Sequence, residues 1–174
     1  MTTPGASRWT VKRITYYALL TSIAFVLSAA ESMIPIPAPA AGVKLGLANI
    51  VTLILLLDER NPASALIITS IRCVLAAFAL GTLSTLIFSF VGGITSCLTM
   101  WLLLNYNSHF SIIGTSIAGA LSHNMAQLAA AAAIARDFAI LAYLPILVVA
   151  GIAAGCATGF IALRVHNIFK SIRK

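Results

Sequence analysis

Charge is what this chain has least of. Only 9% of its 174 residues are Asp, Glu, Lys or Arg, against roughly 25% in a soluble domain. With 60% hydrophobic residues and a mean hydropathy of +1.03, no polar surface large enough to face water remains. A soluble globular domain is excluded, and an integral membrane protein is left. Acidic residues are scarcest: Glu31, Asp58, Glu59 and Asp137 are the full set. Three of them fall at predicted turns, so no chain of carboxylates could relay protons through the membrane. No Asp-rich pair stands on one helix to hold Mg²⁺-diphosphate, and no GxxxxGK[ST], HExxH or GxSxG motif occurs. The chain therefore reads as a non-enzyme with no metal site and no cofactor. Cysteine is rare too. Cys73, Cys97 and Cys156 lie singly in apolar runs, as small core hydrophobes do and as redox or iron–sulfur ligands do not.

What is present is a succession of long apolar segments. A polar tail covers residues 1–13, a transmembrane domain residues 14–163 and a basic tail residues 164–174. The predicted helices run from Ile14 to Met33, Lys44 to Leu57, Pro62 to about Gly81, Leu83 to Leu104, Ser111 to Ala135 and Phe138 to about Leu163. Five reach the roughly 20 apolar residues that a span needs. The second does not, since its 14 residues rise only about 21 Å. The first run has no small-residue cleavage site followed by a soluble domain, so it reads as a span and not as a cleavable signal. The fold class is all-α: a polytopic six-helix bundle whose short second helix follows a Pro-rich loop.

Six spans put both termini on one side. Eight Lys and Arg flank that side, against Lys44 and Arg136 on the other, which places both termini in the cytoplasm. The net charge of +7 is thus a topology signal and gives no reason to expect nucleic-acid binding. The loop with Pro35, Pro37 and Pro39 then faces outward. Irregular backbone beside membrane helices is tolerated only where protein buries it or where it lines a wet cavity.

Polar residues inside such helices are costly and are candidates for function. Lys44 and the free N–H groups of its helix would favour an anion, unless Lys44 snorkels to the headgroups. Asn49 follows on the same helix. Arg72, near the middle of the third helix, needs a partner, either Glu31 at the end of the first helix or a ligand anion. His123 and Gln127 share a face at i, i+4, with Asn124 one step around. This polar island either faces a ligand or joins helices. Gly92-Gly93 permits a kink or a close approach, and Gly151, Gly155 and Gly159 form a helix-packing stripe. On the first helix, Ala18/Ser22 and Ala24/Ser28 are small-residue faces suited to docking another helix.

The run Pro35-Ile-Pro37…Lys44-Leu-Gly-Leu-Ala-Asn49-Ile-Val-Thr-Leu, followed by Arg72, Gly92-Gly93 and Ser116 to Gln127, resembles the Gx transporter family. Members of that family are often labelled heptaprenyl diphosphate synthase component I. The resemblance extends over about residues 14–163. The family is similar in turn to the substrate-binding S-components of energy-coupling factor (ECF) importers. It implies a multi-pass protein of the bacterial cell membrane with a ligand pocket near the outer face, capped by the first loop. It also implies a separate coupling membrane subunit with ATPases as partners. The expected function is substrate binding for import of a small anion-bearing solute, with Lys44, Asn49, Arg72, His123, Asn124, Gln127 and Glu31 as ligand-binding residues. The alternative is a membrane accessory protein in isoprenoid, quinone or flavin-linked electron-transfer metabolism without transport. A small channel or stand-alone carrier is a third possibility.

Overall fold

A computed structural model describes residues 10–33, 46–80, 83–106 and 110–172. They form six α-helices: α1 (Val11–Ser32), α2 (Asn49–Glu59), α3 (Pro62–Leu80), α4 (Leu83–Tyr106), α5 (Ile112–Ala135) and α6 (Leu144–Ile172). A 3₁₀ turn, Phe138–Tyr143, leads into α6. No strand occurs among the described residues. The protein is an all-α, six-helix, polytopic membrane protein.

Local chemistry sets the helix ends. Pro62 occupies the first position of α3, where a missing N–H costs nothing. Just before it, Asn61 Oδ1 accepts from Ala63 N–H at 3.0 Å. Ser111 caps α5 by accepting from Gly114 N–H at 3.0 Å, and Asp137 accepts from Ala139 N–H at 2.8 Å at the start of the 3₁₀ turn. Helices α2 and α5 each stop at an arginine in the left-handed region, Arg60 and Arg136, both with φ 53°.

Both described ends of the chain lie at the same end of the bundle. Arg13, at the start of α1, pairs with Glu59 at the end of α2 at 3.2 Å. Arg60 Nη1 donates to Leu104 O, near the end of α4, at 2.8 Å. His166 of α6 lines the same pocket as Arg60 and Leu104. Lys12, Arg13, Arg60, Arg164 and Lys170 all cluster there, whereas the opposite end carries Arg136 among the described residues.

Four stretches are long and apolar enough to cross a membrane: Val11–Ser32, Pro62–Ala79, Leu83–Tyr106 and Phe138–Ser171. The sequence led us to expect five. Helix α5 has the length, 24 residues, but His123, Asn124 and Gln127 interrupt its apolar character. They are all buried, because α5 packs along both α4 and α6. Helix α2 begins at Asn49, after a turn at Leu47-Ala48, and not at Lys44, which lies outside the described residues together with the proline loop. Its 11 residues rise about 16 Å. It touches all five other helices, and Leu53, Leu55 and Leu56 are fully enclosed. A helix surrounded by protein need not span the hydrocarbon itself. At the other extreme, α6 continues to Ile172, well past the expected Leu163. Its 29 residues rise about 43 Å against a hydrocarbon core of about 30 Å, so its basic end emerges as helix. There Arg164 stacks on Phe160 at 5.1 Å.

Candidate functional site

Away from the end that carries the termini, polar side chains from four helices converge inside the bundle, against a fifth. Each of four helices brings two of them one turn apart: Ser28 and Glu31 on α1, Asn49 and Thr52 on α2, Thr69 and Arg72 on α3, His123 and Gln127 on α5. Such spacing puts both members on one face. All eight are buried. Helix α4 contributes no large polar group and instead brings Gly92 and Gly93, whose bare backbone leaves room for the others.

The first arm of the cluster centres on His123. A Cβ on Gly92 would lie 2.7 Å from Gln127 Cγ and 2.9 Å from His123 Cε1. On the other edge of the ring stands Gly46, where a Cβ would meet His123 Cδ2 at 3.1 Å and Asn49 Nδ2 at 2.7 Å. Gly46 has φ +84°, a left-handed conformation that strains any residue with a Cβ. The imidazole is thus held between two glycines. Its Nε2 lies 2.9 Å from Gln127 Nε2. With the amide N–H as donor, Nε2 is the acceptor and the ring proton sits on Nδ1.

The second arm centres on Arg72, only 4% exposed. Its Nη1 donates to Ser28 Oγ at 3.1 Å. Its Nε and Nη2 have no hydrogen-bond partner among the described residues, although both are fully buried. A Cβ on Gly93 would lie 3.1 Å from Nη2 and 2.8 Å from Thr69 Cγ2, and Thr69 Oγ1 bonds Thr52 Oγ1 across α2 and α3 at 3.0 Å. Asn49 resembles Arg72 in that its Oδ1 and Nδ2 are buried without a hydrogen-bond partner among the described residues. Buried polar groups are normally satisfied, because leaving one bare costs about 1–3 kcal/mol, and more for a charge. Two such residues lie in this one cluster.

Among the described residues no ion pair joins Glu31 to Arg72. Glu31 Oε1 accepts from Gly46 N–H at 2.6 Å and its Oε2 accepts from Leu47 N–H at 3.2 Å. The carboxylate fastens the chain that enters α2, and Arg72 bonds the serine one turn away from it. The ion pair seen among the described residues is Arg13–Glu59, at the far end of the bundle.

Of the residues singled out from the sequence, Glu31, Asn49, Arg72, His123 and Gln127 come together here. Asn124 does not join them. Its Nδ2 donates to Leu147 O on α6 at 2.9 Å and packs against Gly151. One residue further along a helix is about 100° further around, so Asn124 faces α6 while His123 faces α4. Lys44 lies outside the described residues. The glycine stripe on α6 is an internal contact with α5: a Cβ on Gly155 would stand 2.6 Å from Ile117 Cα, and one on Gly159 2.9 Å from Ile113 Cα. The two small faces of α1 divide. Ala24 and Ser28 are buried inside, while Ala18 and Ser22 face outward.

A family model described as heptaprenyl diphosphate synthase component I matches residues 20–165. The chain belongs to that family. The matched region takes in all of α2 to α5 and most of α1 and α6, and so the whole polar cluster. The component I family is related to the Gx transporter and ECF S-component group. No curated protein and no solved structure matches the chain.

Proposed function

We propose that this component I protein is a membrane subunit without catalytic activity of its own that binds a small anion-bearing solute in the α1–α5 cluster. The observation that carries the reading is Arg72, a buried guanidinium with two nitrogens lacking hydrogen-bond partners among the described residues. An anionic group there would take a charge-assisted, two-point bond. His123, Gln127 and Asn49 would contact the uncharged part of the solute. Glu31 would hold the chain entering α2 in place, and Asn124 would fix α5 against α6. In the ECF-type version, the solute is imported with a coupling membrane subunit and ATPases, and the outward Ala18/Ser22 face of α1 is the docking surface. Positive-inside asymmetry supports cytoplasmic termini in a bacterial plasma membrane.

The family description favours a second reading: a membrane accessory of prenyl diphosphate or quinone supply that transports nothing. It is the more direct inference from the description, whereas the buried cation speaks for solute binding. A prenyl-elongating enzyme needs Asp-rich Mg²⁺ sites, and four scattered acids cannot supply them, so in this reading the chain assists another enzyme. Affinity purification from native membranes in mild detergent, with mass spectrometry of partners and retained small molecules, separates the two. A coupling subunit with ATPases supports import. Prenyl or redox enzymes without ATPases support the accessory role and overturn import.

A further inference from the structure

A second site lies at the opposite end of the bundle and does not depend on the reading of Arg72. A cavity of about 380 Å³ opens where the end of α2, the end of α4, the start of α5 and the last turns of α6 meet, lined by Leu57, Arg60, Leu104, Asn105, Phe110, Ile112 and His166. Its volume falls in the range of small-molecule sites. The lining is divided in character. Arg60, Asn105 and His166 supply polar and cationic groups, the other described lining residues are apolar, and none of the described lining is acidic.

The backbone adds to this polarity. Helix α4 ends here, and its exposed carbonyl end would repel an anion. Arg60 covers that end by donating Nη1 to Leu104 O at 2.8 Å. One of five guanidinium donors is used in this way, and the rest of the group remains at the cavity. Helix α5 begins here, with Ile112 in the lining and with Ser111 taking only the Gly114 N–H. The other first-turn N–H groups keep the positive end of the helix facing the same space. The acids nearest in sequence are engaged elsewhere: Asp58 accepts from Tyr16 OH at 3.3 Å, and Glu59 accepts from Tyr17 OH at 2.6 Å and pairs with Arg13.

We infer that this cavity binds a phosphate headgroup carried on an apolar chain. Arg60 and His166 contact the phosphate. Leu57, Phe110 and Ile112 pack against the first carbons of the chain. Its place at the basic end of a membrane bundle suits a ligand with an anionic headgroup. Two sources share this chemistry, an anionic phospholipid of the bilayer and a free prenyl diphosphate.

Native mass spectrometry of the full chain in detergent tests the inference, with phosphatidylglycerol, phosphatidylcholine and farnesyl diphosphate as added probes. The expected result is preferential binding of phosphatidylglycerol or farnesyl diphosphate, weakened about fivefold by Arg60→Gln, the effect of one cation at a membrane surface, and to a similar extent by His166→Leu, the effect of one lost hydrogen bond. Lys170→Gln, at the same end but outside the cavity, should leave binding unchanged. Binding of phosphatidylglycerol alone assigns the site to bilayer lipid, and binding of farnesyl diphosphate alone assigns it to a free diphosphate. If neither probe binds, or if Lys170→Gln weakens binding as much as Arg60→Gln, the inference fails. His166 is only half-buried on α6, so its variant keeps the test intact should Arg60→Gln fold poorly.

Discussion

Replacing Gly46 by alanine tests the geometry on which the polar cluster rests. Three effects add. A Cβ in the left-handed region costs about 1–2 kcal/mol. The new methyl would stand 2.7 Å from Asn49 Nδ2 and 3.1 Å from His123 Cδ2, and overpacking of that kind costs about 1–3 kcal/mol. Against these, alanine restricts the unfolded chain and returns about 0.4–1 kcal/mol. The net destabilisation is about 2–4 kcal/mol. In a chain of this size each kcal/mol lowers the melting temperature by roughly 2–4 °C, so Gly46→Ala should lose roughly 5–15 °C. Thermal unfolding of purified protein in one detergent measures this. Gly114→Ala is the matched control. Its Cβ would meet nothing closer than Ser111 Oγ at 3.3 Å, and alanine is the better helix former by about 1 kcal/mol. Its melting temperature should hold or rise. If Gly46→Ala melts within a degree of Gly114→Ala, Gly46 is not wedged left-handed against His123 and Asn49, and the cluster as described is wrong.

Further outcomes follow from the same geometry. Glu31→Ala leaves the N–H groups of Gly46 and Leu47 without their acceptor, at about 1–3 kcal/mol for each. Amide hydrogen exchange at these two positions should quicken, and unchanged exchange would mean the carboxylate does not fasten them. Gly155→Ala sets a methyl 2.6 Å from Ile117 Cα, a backbone atom that cannot swing aside. It should cost about 1–3 kcal/mol, while Cys156→Ala, at an exposed neighbour, should leave the melting point alone. Arg72→Met should raise the melting temperature of the ligand-free protein, because a buried charge with incomplete bonding is removed. A fall would mean that Arg72 serves structure ahead of binding.

The outline of the bundle was legible because membrane helices announce themselves by length and apolarity. The shortness of α2 was legible for the same reason. Its burial on every side was not, since Leu53, Leu55 and Leu56 look alike whether they face lipid or protein. Glu31, Asn49, Arg72, His123 and Gln127 stood out because amides and charges are rare in such helices. Ser28, Thr52 and Thr69 did not. Ser and Thr in membrane helices usually bond back to the carbonyl four residues earlier, as Thr21, Ser22, Ser32, Thr95 and Thr99 do here. Nothing local separates these from Thr52 and Thr69, which reach across to each other. The signal that could have found them is a polar pair one turn apart repeated on four helices. Asn124 shows the converse limit. It adjoins His123 in sequence, but only the packing of α5 between α4 and α6 reveals that the two point apart. The α6 extension was hidden because charged residues after an apolar run look like a tail until Arg164 is seen stacked on Phe160.

The most direct test of anion binding at Arg72 compares small molecules retained by wild-type protein and by Arg72→Gln, each purified in parallel from native membranes and each shown to melt cooperatively. Mass spectrometry should find an anionic solute enriched at least tenfold on the wild type and lost from Arg72→Gln. Equal retention of anions by both, or none on either, would contradict the assignment of the α1–α5 cluster as an anion site.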